Sequence, residues 1–154
     1  MPSPMAKMEL KGFDETIKKF QRLGKKSGYR APLKQAANRA ATPIVKAVRA
    51  IWKNEAYDSG LSSKSVDKKV YTTKSGAWAI IGIDKEAVGV SHGRKHVPSN
   101  VDHLVELGFQ LADGTTVPAV APLRRGYEEA KGEAEQIFAN VSAKAVEKEA
   151  LKRA

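Results

Sequence analysis

The C-terminal segment constrains the fold most. From Pro122 onward, Leu123, Tyr127, Ala130, Ala134, Ile137, Phe138, Val141 and Ala145 recur at helical spacing. Pro122 suits a first helical turn, where its missing N–H would have no partner in any case. The pattern predicts a helix over residues 122–153. At 1.5 Å per residue, roughly 32 residues extend about 48 Å, more than the diameter of a small domain. Part of this helix should therefore project or lie against a neighbour. Gly126 and Gly132 weaken it locally.

The period changes upstream. Residues 77–84, AWAIIGID, are apolar on both faces and predict a central strand. Residues 65–73 mix Val66, Val70 and Tyr71 with lysines and predict a partner strand, joined through Lys74-Ser75-Gly76 as an antiparallel hairpin. Two helices precede them. Phe13, Ile17, Phe20 and Leu23 form the stripe of the first, with Gly24 as its stop. Pro32 opens the second, whose stripe is Leu33, Ala36, Ala37, Ala40, Ile44, Val48 and Ile51. Pro43 interrupts it and predicts a kink or short break. Residues 8–10 read as a short edge strand after a disordered leader, residues 1–7, and residues 85–100 as an irregular basic loop. Residues 8–154 are then one α+β domain, a small antiparallel sheet packed with helices and ending in a long helix.

Residues 101–125 form a compact punctuated stretch. Val101, Leu104 and Val105 suggest a helical turn capped by Ser99 or Asn100 and stopped by Gly108. Asp113-Gly114 signals a tight hairpin. Pro118 and Pro122 hold the intervening chain extended. His103, Glu106, Leu107, Phe109, Leu111, Val117, Val120, Arg124 and Arg125 are the candidate interface residues of this stretch. The apolar ones exceed what so short an excursion buries by itself, and exposed apolar patches mark interfaces. Arg124 and Arg125 stand at a helix start, where the dipole disfavours cations, which suggests an acidic neighbour.

Charge is unevenly placed. Residues 1–53 hold 13 Lys and Arg against 3 Asp and Glu, whereas residues 101–154 hold 7 against 9. Such asymmetry suggests a nucleic-acid or acidic partner, or head-to-tail contact between copies. Arg39, Lys46, Arg49 and Lys53 share one helix face with Gln35 and Thr42; with Arg94 and Lys95 they form a candidate DNA-channel face. Phosphate contact there would be sequence-independent, because no base-reading motif accompanies it.

Reactive chemistry is not suggested. There are no cysteines, which excludes a disulfide framework and fits a reducing compartment. His92 and His96 are four apart, but Gly93 and Pro98 oppose a helix there and no third ligand is evident. Glu106 has no second carboxylate at a defined spacing. No serine between Ser59 and Ser65 sits in a nucleophile elbow, and no glycine loop suits phosphate. The expectation is a non-enzyme without metal or cofactor. The N-terminus shows no apolar signal segment, and no stretch is long and apolar enough to span a membrane.

Five segments together resemble the neck or tail-completion proteins of long-tailed bacteriophages, a family also described as head-to-tail joining or minor tail protein Z-like. Residues 8–14 read MELKGFD, a common opening of that family. The basic, alanine-rich helix at residues 33–52 follows. Residues 57–66, YDSGLSSKSV, resemble its Pro-Asp-Thr-Gly-Leu turn, with Ser59 for the threonine and no proline before Asp58. His103, Val105, Glu106, Leu107 and Gly108 resemble its Val-Glu-Phe-Gly turn. Residues 118–126, PAVAPLRRG, resemble its Pro-Ala-x-Pro-Phe-Leu-Arg-Pro, with one extra residue and Gly126 near the last proline. The resemblance covers residues 8–150. It implies a structural virion protein at the head–tail junction, assembled in the host cytoplasm. Its partners would be other neck and tail proteins and its own copies, as a ring with a hexamer as the expected form, through which DNA passes. A tail-terminator ring and a basic, non-specific nucleic-acid-binding module are the alternatives.

Overall fold

The computed structural model describes residues 6–8, 18, 30–55, 60–73, 76–91 and 93–151. In chain order these form β1 (Ala6–Met8), α1 (Arg30–Glu55), α2 (Leu61–Ser65), β2 (Val66–Thr72), β3 (Ala77–Ile83), β4 (Gly89–Ser91), β5 (Arg94–His96), a 3-10 turn (Pro98–Asn100), α3 (Asp102–Leu107), β6 (Phe109–Gln110), β7 (Thr116–Val117) and α4 (Pro122–Leu151). The protein is α+β, as its two periodicities require. The predicted helix around Phe13 to Leu23 lies outside the described residues, apart from the helical Lys18.

The main sheet has the order β1-β3-β2, antiparallel throughout. β3 is thus central, as its apolar faces require. Ala79, Ile81 and Ile83 are buried, while Trp78 and Ile80 on the other face are half-buried. The edge strand begins at Ala6, pairing with Ile81, so the last residues expected in the leader belong to the sheet.

α1 lies on the face of the sheet that carries Val66, Ala79, Ile81 and Ile83, and its stripe packs with them and with Leu123, Ala130, Ala134 and Phe138 of α4 into one core. α1 is one uninterrupted helix of 26 residues with Pro43 inside it. The expected break is absent. Proline costs a helix one donor, and the turn before Pro43 is tied by the Thr42 hydroxyl, which donates to the Asn38 carbonyl at 3.2 Å. Lys68 from β2 donates to the same carbonyl at 2.5 Å and to Thr42 Oγ1 at 2.6 Å.

α1 and α4 run antiparallel, since Arg125 at the start of α4 meets Glu55 at the end of α1, while Glu133 and Ile137 lie beside Arg39, Pro43 and Lys46. Small side chains let the two axes close. A Cβ placed on Gly126 would lie 2.5 Å from Val48 Cγ2, 2.7 Å from Val48 N and 2.9 Å from its Cα. α4 has 30 residues, about 45 Å of helix. Its burial thins after Ser142, and Leu151 is exposed.

Several local expectations change. Residues 61–65 are a short helix, with Ser65 Oγ donating to the Leu61 carbonyl at 2.6 Å. The basic loop contains the β4–β5 hairpin. α3 starts after a 3-10 turn, and its cap residue is Val101, which offers no capping side chain, in place of the expected Ser99 or Asn100. The extended run before α4 ends at Ala121, which takes φ 52°, a left-handed value costly for a residue with a Cβ.

Candidate interface and basic faces

Glu106 organises the C-terminal half. It projects from α3 and is buried, and its carboxylate accepts the Leu123 N–H at 2.9 Å and the Arg124 N–H at 3.1 Å. These are first-turn amides of α4, which have no partner inside the helix, and a negative charge there also suits the helix dipole. The Val105 carbonyl accepts the N–H groups of Val120 and Ala121 at 3.0 and 3.2 Å. One turn of α3 therefore ties down both the approach to α4 and its start. Glu106 does not face outward for a partner, as its place among the interface residues had implied; it is an internal cap.

Gly108 turns the chain from α3 into the hairpin at φ 74°, and a Cβ there would lie 2.7 Å from the Val117 carbonyl and 2.8 Å from the Ala119 nitrogen. The hairpin follows the Asp-Gly signal. Phe109 pairs with Val117 and Gln110 with Thr116. Asp113 Oδ1 accepts the Thr115 N–H at 2.8 Å, and this bond, with a further one to the Thr115 side chain, holds the carboxyl below its ordinary value. Leu107 is 70% exposed and Leu111 45%, whereas Phe109, Val117 and Val120 are half-buried. The apolar surplus is thus real but concentrated on two leucines. His103 is partly exposed, with Nδ1 3.9 Å from Asp102 Oδ1.

The two arginines behave differently. Arg125 reaches the Glu55 carboxylate with both terminal nitrogens, Nη2 to Oε1 at 2.7 Å. Its hydrogen bonds hold the Glu55 carboxyl below its ordinary value, and Glu55 in turn raises the guanidinium. The acidic neighbour expected for Arg125 is therefore in its own chain. Arg124 is exposed, and its side chain has no partner among the described residues.

The basic stripe on α1 is exposed as its spacing predicts, at Arg39, Lys46, Arg49 and Lys53. Arg49 is nevertheless committed: its guanidinium donates to the Val66 carbonyl from Nη2 at 2.7 Å and from Nε at 3.2 Å. It joins α1 to the start of β2. Arg39 and Lys46 line an open groove of about 400 Å³ with Glu133 and Ile137. Arg94 and Lys95 are exposed on the separate β4–β5 sheet. Lys68 was not among the residues singled out in the sequence. Its signal is parity, a lysine at the inward-facing position of a half-buried strand.

Among the described residues, no group of three or more His, Asp or Glu could hold a metal ion, and no helix is long and apolar enough to cross a membrane. The chain matches no protein-family model, no curated protein and no solved structure.

Proposed function

We propose that the chain is a neck or tail-completion component of a long-tailed bacteriophage, working as a closed homo-oligomeric ring at the head–tail junction. The observation that carries this reading is the union of its two C-terminal motifs. The segments at residues 103–108 and 118–126, which separately resemble the phage family, form a single device in which Glu106 caps α4. That device leads into the β6–β7 hairpin, and Leu107 at the end of α3 and Leu111 in the hairpin turn both face solvent. A pre-ordered apolar arm loses little entropy on association, which suits assembly between copies or onto a tail. The role is mechanical, with no catalytic step and no cofactor. The test is complementation. Purified protein added to a lysate of the parent phage lacking this gene should join heads to tails and restore plaque titre; unjoined heads and tails after addition would overturn the reading.

The second reading, a basic module that binds nucleic acid without sequence preference, is favoured by Arg39, Lys46 and Lys53, which are exposed on one face of α1 and have no side-chain partner among the described residues. It expects monomers whose DNA affinity falls steeply with salt and drops on K46E/K53E. A tail-terminator ring remains the alternative within the virion.

A further inference from the structure

The geometry points to the outer edge of β2, walled by the first turns of α1, as a docking groove for an extended acidic peptide segment that adds as a strand.

The hydrogen-bond register defines the edge. Asp84 N–H donates to the Ser65 carbonyl and Thr73 N–H to the Gly76 carbonyl, both at 2.8 Å. With Val66 opposite Ile83, this places the backbone bonds to β3 at Asp67, Lys69 and Tyr71. The N–H and C=O groups of Val66, Lys68, Val70 and Thr72 therefore point away from the sheet. The Val66 carbonyl is taken by Arg49. Those of Lys68 and Val70 have no backbone partner among the described residues, and they open into a groove of about 670 Å³. Arg49 thus closes one end of the edge and leaves a stretch long enough for a short strand.

The lining selects the occupant. It consists of Ala31, Lys34, Gln35 and Asn38 from α1 and residues 68–71 from β2, with three lysines and no carboxylate. Lys68 and Val70 face α1; Lys69 and Tyr71 face the other side and are exposed, so lysines flank both faces of an added strand. Lys68 is held by Asn38 and Thr42, and burial lowers its pKa. Lysines on an edge repel a like-charged edge, which disfavours pairing between two copies of β2. They attract a strand with alternating carboxylates. Backbone bonds would supply affinity, and the lysines and the half-buried Val70 the preference. A nucleic acid would use the charges but leave the open carbonyls of Lys68 and Val70 unanswered, which favours the peptide.

The probe is a doubly capped hexapeptide alternating Glu and Val, titrated into the full chain by fluorescence anisotropy. Binding should weaken at least about fivefold for each strand bond removed by N-methylation of the peptide backbone. Lys34→Glu, on the exposed face of α1, should weaken it by a similar factor with an unchanged circular dichroism spectrum. Isotope-edited infrared spectra should show the peptide gaining strand character when bound. Binding insensitive to N-methylation, or no binding, overturns the proposal. So does tighter binding of a single-stranded oligonucleotide that Lys34→Glu abolishes, because it assigns the groove to phosphates. The proposal stands apart from ring formation, since a monomer can show it.

Discussion

Glu106 and Leu123 are joined across 17 residues of chain by one hydrogen bond, with Oε2 of the buried carboxylate accepting the Leu123 N–H at 2.9 Å. The second oxygen accepts the Arg124 N–H, so the start of α4 is capped by a side chain from another helix. Glu106→Ala should destabilise the fold by about 1–2 kcal/mol, the usual cost of losing a cap. Glu106→Gln keeps one acceptor oxygen and should cost less. Urea unfolding should show the loss as a lower midpoint with an unchanged slope. Equal stability of all three proteins would refute the cap.

Two glycines of α4 should respond oppositely to an added methyl group, because only Gly126 lies at the close crossing with α1. Gly126→Ala would push a methyl group into the Val48 backbone, which has no free end to swing aside. The repacking should cost about 1–3 kcal/mol and outweigh the gain in helix propensity. Gly132 has nothing within 4 Å of its would-be Cβ, so Gly132→Ala should instead stabilise by about 0.5–1 kcal/mol. Thermal unfolding should therefore shift in opposite directions for the two variants.

Much of this frame is legible in the sequence, and the reasons are local. The period of residues 77–84 differs from that of α4, and Asp113-Gly114 needs only its own neighbours to turn. The basic face of α1 follows from helical spacing alone. What escapes are pairings that only tertiary structure makes. Arg125 finds Glu55 across 70 residues, and Glu106 finds α4 across 17. Read as isolated charges, both resemble groups awaiting an outside partner. Arg49 misleads in the same way, because spacing places it on the exposed stripe but not the Val66 carbonyl within its reach.

Acid should loosen the β6–β7 turn. The Thr115 backbone holds the Asp113 pKa below its ordinary value of 3.8, so the folded state favours the carboxylate. A group of this kind stabilises the fold above its unfolded pKa and loses that contribution as pH falls through the folded one. The Thr115 amide resonance should stay constant down to about pH 4 and move only below it. Asp113→Ala should abolish that movement.

The exposed leucines separate folding from assembly. Leu107→Ser combined with Leu111→Ser alters side chains that are 70% and 45% exposed, so melting should change little. Assembly, followed by light scattering, should weaken at least about tenfold if this arm is the contact. Normal assembly of the double variant would assign the interface elsewhere.

The most direct test of the central claim is the mass distribution of the purified chain over micromolar concentrations, by mass photometry with negative-stain imaging of the same sample. Closed rings of one fixed subunit number, with a hexamer expected, are the predicted result. Monomers at every concentration, binding DNA with a steep salt dependence, would contradict it and favour the nucleic-acid module.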